Sequence, residues 1–121
     1  MKIPKLAIVT IIALSAIACG SAGGAEFMTG KALLRICEDK TPHGYDAGIC
    51  VGYVSGGSDQ LDGLKGSALP ELNYCLPSTV STGELRDVVV NYMKRHPERL
   101  DQQASFLIFE ALTSAFACAA N

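Results

Sequence analysis

The clearest pattern of apolar residues in the chain lies between positions 85 and 93. There the apolar side chains recur at i, i+3, i+4, i+7 and i+8, which places them on one face of an α-helix. They are Leu85, Val88, Val89, Tyr92 and Met93. Ser81 and Glu84 have the spacing of a capping box, and proline at 97 cannot continue a helix. The pattern therefore predicts a helix that begins after Ser81 and ends before Pro97.

Three other segments also have helical periodicity. Residues 27–39 form one, with Thr29 as its N-cap, and a second runs from Ala47 to about Ser58 after an N-cap at Asp46. The last opens at Pro97, and its apolar face comprises Leu100, Ala104, Leu107, Ile108, Ala111, Leu112 and Ala115, widened by Phe106, Phe109 and Phe116. No segment alternates like a strand, so the sequence predicts an all-α bundle of four to five short helices.

Glycines recur every four residues in the second predicted helix, at Gly48, Gly52 and Gly56. Each costs about 1 kcal/mol relative to alanine inside a helix. Such a stripe without side chains would let another helix backbone approach closely, with Tyr53 beside it supplying burial. We therefore expect Gly52, Tyr53 and Gly56 to pack against a helix. The alternative is that the helix simply ends at Gly56 and Gly57.

Residues 57–74 have no regular period because glycines and Pro70 interrupt them. A loop of this length in a compact domain is usually functional or disordered. The sequence therefore predicts a long loop here, closed by Cys75.

The amino terminus has the layout of a secretory signal. Lys2 and Lys5 precede thirteen uncharged residues, 6–18, and small residues lead to Ala25. The apolar run is shorter than the ~20 residues that span a bilayer. We expect cleavage after Ala25, a periplasmic location, no stable membrane insertion and a single domain at 26–121. A lipoprotein signal that ends at Cys19 is the alternative.

Four cysteines remain after that cleavage: Cys37, Cys50, Cys75 and Cys118. In a short exported chain this number indicates two disulfides, and three pairings are open. The pairs Cys50–Cys75 and Cys37–Cys118 are preferred, because they would tie the long loop to its helix and the last helix to the first. Either bridge would add stability to a domain too small to be stable on its core alone.

Charge and polar residues exclude several functions. With Lys2 and Lys5 removed, eight basic residues face twelve acidic ones, so the net charge is near −4. No basic cluster exists to bind nucleic acid or anionic membranes. His43 and His96 lack partners at metal-ligand or catalytic spacing. The sequence therefore predicts no enzyme activity, no catalytic or metal site and no cofactor.

Four segments in this order resemble the Rap1a/Tai family, whose members are immunity proteins of type VI secretion systems. They are Cys37, then CVGYVSGGSD at 50–59, then CLPSTVSTGELRDVVVNYMKRHPE at 75–98, then ALTSAFAC at 111–118. The resemblance covers nearly all of the chain after residue 25. It implies a small, periplasmic, helical protein, often a homodimer, that binds a peptidoglycan amidase effector.

An immunity protein of this kind would block its enzyme sterically. The predicted loop is then the effector-binding candidate, with contacts at Asp59, Gln60, Asp62, Leu64 and Lys65. The exposed face of the helix that begins near Glu84 is an alternative surface. A different function, that of a periplasmic chaperone or stress-response protein with an unknown client, also fits a small exported helical domain.

Overall fold

The computed structural model describes residues 27–39, 41 and 44–120. The predicted signal, Cys19 and His43 lie outside this part of the chain. Within it are four α-helices and one short 3₁₀-helix: α1 (Gly30–Cys37), α2 (Tyr45–Ser67), α3 (Thr82–Arg95), the 3₁₀-helix (Pro97–Arg99) and α4 (Ala104–Ala115). The only extended pairing among these residues is one isolated bridge, between Thr29 and Gln103. The predicted all-α bundle is confirmed.

The ends of α1 and α3 follow from local sequence. The Thr29 hydroxyl accepts a hydrogen bond from the Ala32 amide at 3.2 Å, so Thr29 is the N-cap of α1, as predicted. The Ser81 hydroxyl accepts from the Glu84 amide at 3.2 Å, and a Glu84 carboxylate oxygen accepts from the Ser81 amide at 2.7 Å. The predicted capping box is therefore present, and it fixes where α3 begins.

Helix α2 is much longer than the sequence predicted. It has 23 residues and continues to Ser67, so residues 59–67 are helical and the loop contains only residues 68–81. The buried face of α2 comprises Cys50, Val54, Ser58 and Leu61. Burial of Leu61, which is 2% exposed, compensates for the low helix propensity of the glycines around it. The N-cap is Gly44, and Asp46 lies in the first turn instead of capping it.

Helices α2, α3 and α4 enclose the core, with α1 packed across them. The fully buried side chains of the core come from all four helices and from the loop after α2. The largest are Tyr74, Leu33, Met93, Leu107, Ile108 and Leu112. Tyr74 belongs to that loop, so the loop is anchored in the core although it has no helix of its own.

Two of the three phenylalanines that were predicted to widen the buried face of the last helix do not do so. Phe106 is 59% exposed and Phe109 is 39% exposed, whereas Phe116 packs partly buried against the core. Phe106 lies about 200° around the helix from the buried Ile108, because successive residues are about 100° apart. The two exposed rings therefore lie on the outer side of α4.

The disulfides pair differently from the preferred prediction. Cys37 bonds to Cys50 and Cys75 bonds to Cys118, with Cα–Cα distances of 5.1 and 4.8 Å. Cys37 ends α1 and Cys50 lies in the second turn of α2, and these helices are neighbours in the chain and in space. The Cys75 amide donates to the Phe116 carbonyl at 2.8 Å, which brings the loop beside the carboxyl end. Proximity in space, across 13 residues for one pair and 43 for the other, thus selects the pairs. The predicted pairs Cys50–Cys75 and Cys37–Cys118 are wrong.

Candidate functional site

A groove runs along the surface between α2 and α4, and we call it the α2–α4 groove. It encloses about 520 Å³. The residues that line it are Gly52, Tyr53, Gly56, Gly57, Gln60, Leu61, Leu64, Ser105, Phe106, Ile108 and Phe109. The polar side-chain groups in the lining are the amide of Gln60 and the hydroxyls of Tyr53 and Ser105. The lining contains no carboxylate, histidine or cysteine.

Glycines leave the α2 side of the groove open. A Cβ atom placed on Gly52 or Gly56 would have no neighbouring atom within 4 Å. The prediction that a helix packs closely on Gly52 and Gly56 is therefore wrong for the residues that the structure describes, because both glycines face the surface. The close approach occurs at Gly57, where a Cβ would lie 2.7 Å from Ile108 Cγ2 of α4. Gly57 is thus the position at which the two helices need glycine.

Exposed aromatic rings form the α4 side of the groove. Phe106 and Phe109 are two of the five large apolar side chains that are exposed among the described residues. Tyr53 and Leu64, both partly buried, face them from α2. An open apolar groove with aromatic walls favours binding of apolar side chains from a partner.

The five predicted effector contacts lie on two different sides of α2. Gln60 and Leu64 line the α2–α4 groove. Asp62 is about 200° around the helix from Gln60, and it and Asp59 lie outside the groove lining. Their charges act on the Tyr74 hydroxyl: burial raises the pKa of Tyr74, and the nearby carboxylates of Asp62 and Asp59 raise it further, although its hydrogen bond with Ser58 lowers it.

Lys65, the fifth predicted contact, is directed to the loop and the carboxyl end. Its Nζ donates to the Tyr74 carbonyl oxygen at 2.5 Å. The same ammonium lies 3.1 Å from Cys75 Sγ and 3.5 Å from Cys118 Sγ. Lys65 therefore contacts both sulfur atoms of one disulfide and is not directed into the groove.

A polar cluster holds α4 against α3. The Arg99 guanidinium donates to Glu110 Oε1 at 2.8 Å and to the Tyr92 hydroxyl at 3.0 Å. The Tyr92 hydroxyl donates to Glu110 Oε2 at 3.0 Å. Hydrogen bonding from Arg99 lowers the pKa of Glu110, and burial, followed by the Glu110 carboxylate, raises the pKa of Tyr92. These contacts fix the rotation of α4 about its own axis relative to α3, and Phe109 is the residue next to Glu110.

Histidine and carboxylate side chains do not assemble into a reactive site within the described ranges. His96 stacks against Tyr92 with ring centroids 4.4 Å apart, and its Nδ1 lies 3.4 Å from Glu98 Oε1. In that part of the chain no three metal-ligating side chains come together. None of the helices seen there has the length and apolar character needed to span a bilayer. The groove is suited to binding, and its lining places no histidine or carboxylate beside the hydroxyl of Ser105.

Sequence reasoning identified only part of this site. It selected Gly52, Tyr53 and Gly56 as a packing surface and Gln60 and Leu64 as contacts, and the structure brings these together in one groove. It assigned Phe106 and Phe109 to the core. Their helical angle relative to Ile108 was the signal that could have placed them at the surface.

A comparison with protein families supports one assignment. The family model described as Rap1a immunity proteins matches residues 29–118, a range that includes all four helices and both disulfides. No curated protein and no solved structure matches the chain. Because the family match covers most of the sequence, the chain belongs to the Rap1a immunity protein family.

Proposed function

We propose that this chain is a periplasmic immunity protein that binds and sterically inhibits a peptidoglycan amidase effector of a type VI secretion system. Family membership supports the immunity role. The sequence resemblance to Rap1a/Tai proteins supports the amidase as the partner. The α2–α4 groove is our candidate for the surface that contacts it.

The observation that carries the choice of surface is the exposure of Phe106 and Phe109 beside the open glycines of α2. Aromatic side chains at the centre of an interface often supply much of its binding energy. With no side chains at Gly52 and Gly56, a loop or helix of the enzyme could lie directly against the α2 backbone. Packed apolar contacts of this kind would exclude substrate by occupying space, without turnover.

Charge supports the choice of partner. Residues 26–121 have a net charge near −4, which would favour association with a basic enzyme surface. Asp59 and Asp62 are exposed on α2 outside the groove, and Asp62 lies on the opposite side of the helix from Gln60. We propose that they contribute to encounter through their long-range charge, and that Gln60 and Leu64 contribute contacts within the groove.

Inhibition of the cognate amidase tests the proposal. The purified protein should co-elute with the enzyme and abolish cleavage of muropeptides at equimolar ratio. Phe106→Ala and Phe109→Ala should each weaken binding by roughly tenfold or more, because a buried interface phenylalanine is lost. Tyr45→Ala is the matched control, since Tyr45 is an exposed aromatic residue outside the groove. Unchanged cleavage at molar excess of the protein would contradict inhibition itself.

A second pair of variants tests the surface without removing any contact. Gly52→Leu places a side chain in the groove, whereas Gly66→Leu places the same side chain in open space on α2 outside it. Only the first should block binding. Equal binding by both variants, with inhibition intact, would move the interface away from the groove and leave the immunity role standing.

Export is a separate part of the proposal. We propose that residues 1–25 are a signal removed after Ala25, leaving one domain at 26–121. Amino-terminal sequencing of protein from the periplasmic fraction should begin at Glu26. A lipid-modified amino terminus at Cys19 would support the lipoprotein alternative instead.

Homodimerisation, which the family resemblance implies, is a further proposal. Light scattering on the purified protein should give twice the mass of one chain.

The chaperone alternative makes a different prediction, since it requires suppression of aggregation of unrelated proteins near pH 3. That result, together with no effect on an amidase, would favour the chaperone function.

A further inference from the structure

The two disulfides lie in very different environments. Cys37 and Cys50 are buried, with exposed fractions of 8% and 0%. Cys75 is exposed and Cys118 is partly exposed. Thiol–disulfide exchange requires an incoming thiolate to reach a sulfur atom, so access alone favours reaction at Cys75–Cys118.

A positive charge is placed on the accessible disulfide. Lys65 Nζ lies 3.1 Å from Cys75 Sγ and 3.5 Å from Cys118 Sγ, and its hydrogen bond to the Tyr74 carbonyl holds it there. A cation beside a cysteine favours the thiolate over the thiol. Because a more stable thiolate leaves faster, Lys65 is positioned to assist opening of this bond. Among the described residues, the buried disulfide has no such contact with a lysine.

We propose that Cys75–Cys118 is a thiol–disulfide exchange site that a dithiol reductant opens while Cys37–Cys50 stays closed, and that Lys65 is a positioning residue for the departing sulfur. This inference goes beyond the immunity role and does not depend on the identity of an effector. The co-reactant belongs to the class of dithiols, whether a small molecule or a protein oxidoreductase.

The exchange balances as follows. A thiolate of the dithiol forms a bond to Cys118 Sγ, and the Cys75–Cys118 bond breaks with its electron pair left on Cys75 Sγ. That thiolate lies nearest Lys65 Nζ. The second thiolate of the dithiol then displaces Cys118 Sγ, which takes a proton from solvent. The protein gains two electrons, and the dithiol becomes a disulfide.

Opening this bond would release the link between the loop at 68–81 and the carboxyl end. Two hydrogen bonds would remain there, from the Cys75 amide to the Phe116 carbonyl at 2.8 Å and from the Cys118 amide to Asn73 Oδ1 at 2.9 Å. The helical core and the Cys37–Cys50 bridge would be retained. Reduction at this site would therefore loosen the loop and the carboxyl end while the helical bundle stays folded.

The experiment is timed reduction of the periplasmic protein with dithiothreitol, followed by alkylation of free thiols and peptide mapping. Cys75 and Cys118 should be alkylated at least about tenfold faster than Cys37 and Cys50. Lys65→Met should slow opening of Cys75–Cys118 by roughly fivefold, and Lys65→Arg should restore the rate because it keeps the charge. Lys94→Met is the control, since Lys94 pairs with Glu38 on another face.

Equal rates for the two disulfides, or faster opening of Cys37–Cys50, would overturn the proposal. A Lys65→Met rate equal to that of the unaltered protein, with Lys65→Arg also unchanged, would remove Lys65 from it. Far-UV circular dichroism establishes that the variants are folded. If Lys65→Met is not, the unaltered protein decides the point through the ratio of the opening rate of Cys75–Cys118 to that of Cys37–Cys50, since the net charge of the protein affects both. Salt should lower this ratio by screening Lys65, and a ratio independent of salt would exclude a role for Lys65.

Discussion

The hydroxyl groups of Ser58 and Tyr74 lie 2.8 Å apart in the interior of the protein. Ser58 is on α2 and is 3% exposed, and Tyr74, from the loop after α2, is completely buried. Each hydroxyl is the partner of the other, so this hydrogen bond satisfies two groups that have no access to water. It also joins the loop to the helix that forms one side of the α2–α4 groove.

We expect the costs of removing the two hydroxyls to be less than additive, because they are hydrogen-bond partners of each other. Tyr74→Phe and Ser58→Ala should each lower the free energy of unfolding by about 1–3 kcal/mol, because each leaves a buried hydroxyl unpaired. The double variant should lose less than the sum of the two. Urea unfolding of all four proteins, with disulfides intact, measures this coupling. Strictly additive losses would show that the hydrogen bond contributes no coupling energy.

Adjacent glycines of α2 should respond oppositely to alanine. Gly57→Ala should lower stability by about 1–3 kcal/mol, because its Cβ would lie 2.7 Å from Ile108 Cγ2. Gly56→Ala should raise stability by up to about 1 kcal/mol, since its Cβ meets no atom within 4 Å and alanine favours the helix. Thermal unfolding of the two variants tests the difference. Two changes of the same sign would mean that the α2–α4 contact is not as described.

The capping box of α3 gives a local prediction. Ser81→Ala removes the acceptor for the Glu84 amide and should cost about 1 kcal/mol of stability. Ser81→Thr keeps that acceptor and serves as the control. The measurement is the urea midpoint of each variant, and a midpoint for Ser81→Ala equal to that of the control would contradict a stabilising cap.

Local signals in the sequence were sufficient for α1 and α3 but not for α2. Thr29 and Ser81 cap their helices through contacts within four residues, and such contacts can be recognised from spacing. The extension of α2 to Ser67 depends on burial of Leu61 against other helices, which no local pattern reveals. Glycine at 63 and 66 therefore indicated a loop where tertiary packing supports a helix.

The disulfides and the groove could be predicted only in part for the same reason. Cysteine number indicated two bridges, but the pairing depends on which segments lie adjacent in space. For the groove, Gly52 and Gly56 were recognised as an unusual surface, whereas its opposite side depends on the rotation of α4 that exposes Phe106. The packing of the helices against one another decides both the disulfide pairing and the shape of the groove.

The ion pair between Arg99 and Glu110 predicts how stability depends on acidity. Hydrogen bonding from Arg99 lowers the pKa of Glu110 in the folded protein below its ordinary value of 4.5. Its contribution is therefore fully present above about pH 4.5 and is lost as pH falls through the lowered pKa. Glu110→Gln should accordingly be less stable than the unaltered protein at pH 7, and the difference should shrink below pH 4.5.

Urea unfolding at pH 7, 4.5, 3 and 2 measures that difference directly. Glu71→Gln is the control at an exposed position of the loop, and its difference from the unaltered protein should stay small throughout. Other carboxylates with lowered pKa values, such as Glu84, titrate in both proteins and cancel in the comparison. A gap between Glu110→Gln and the unaltered protein that is constant from pH 7 to pH 2 would show that the Glu110 charge does not stabilise the contact of α4 with α3.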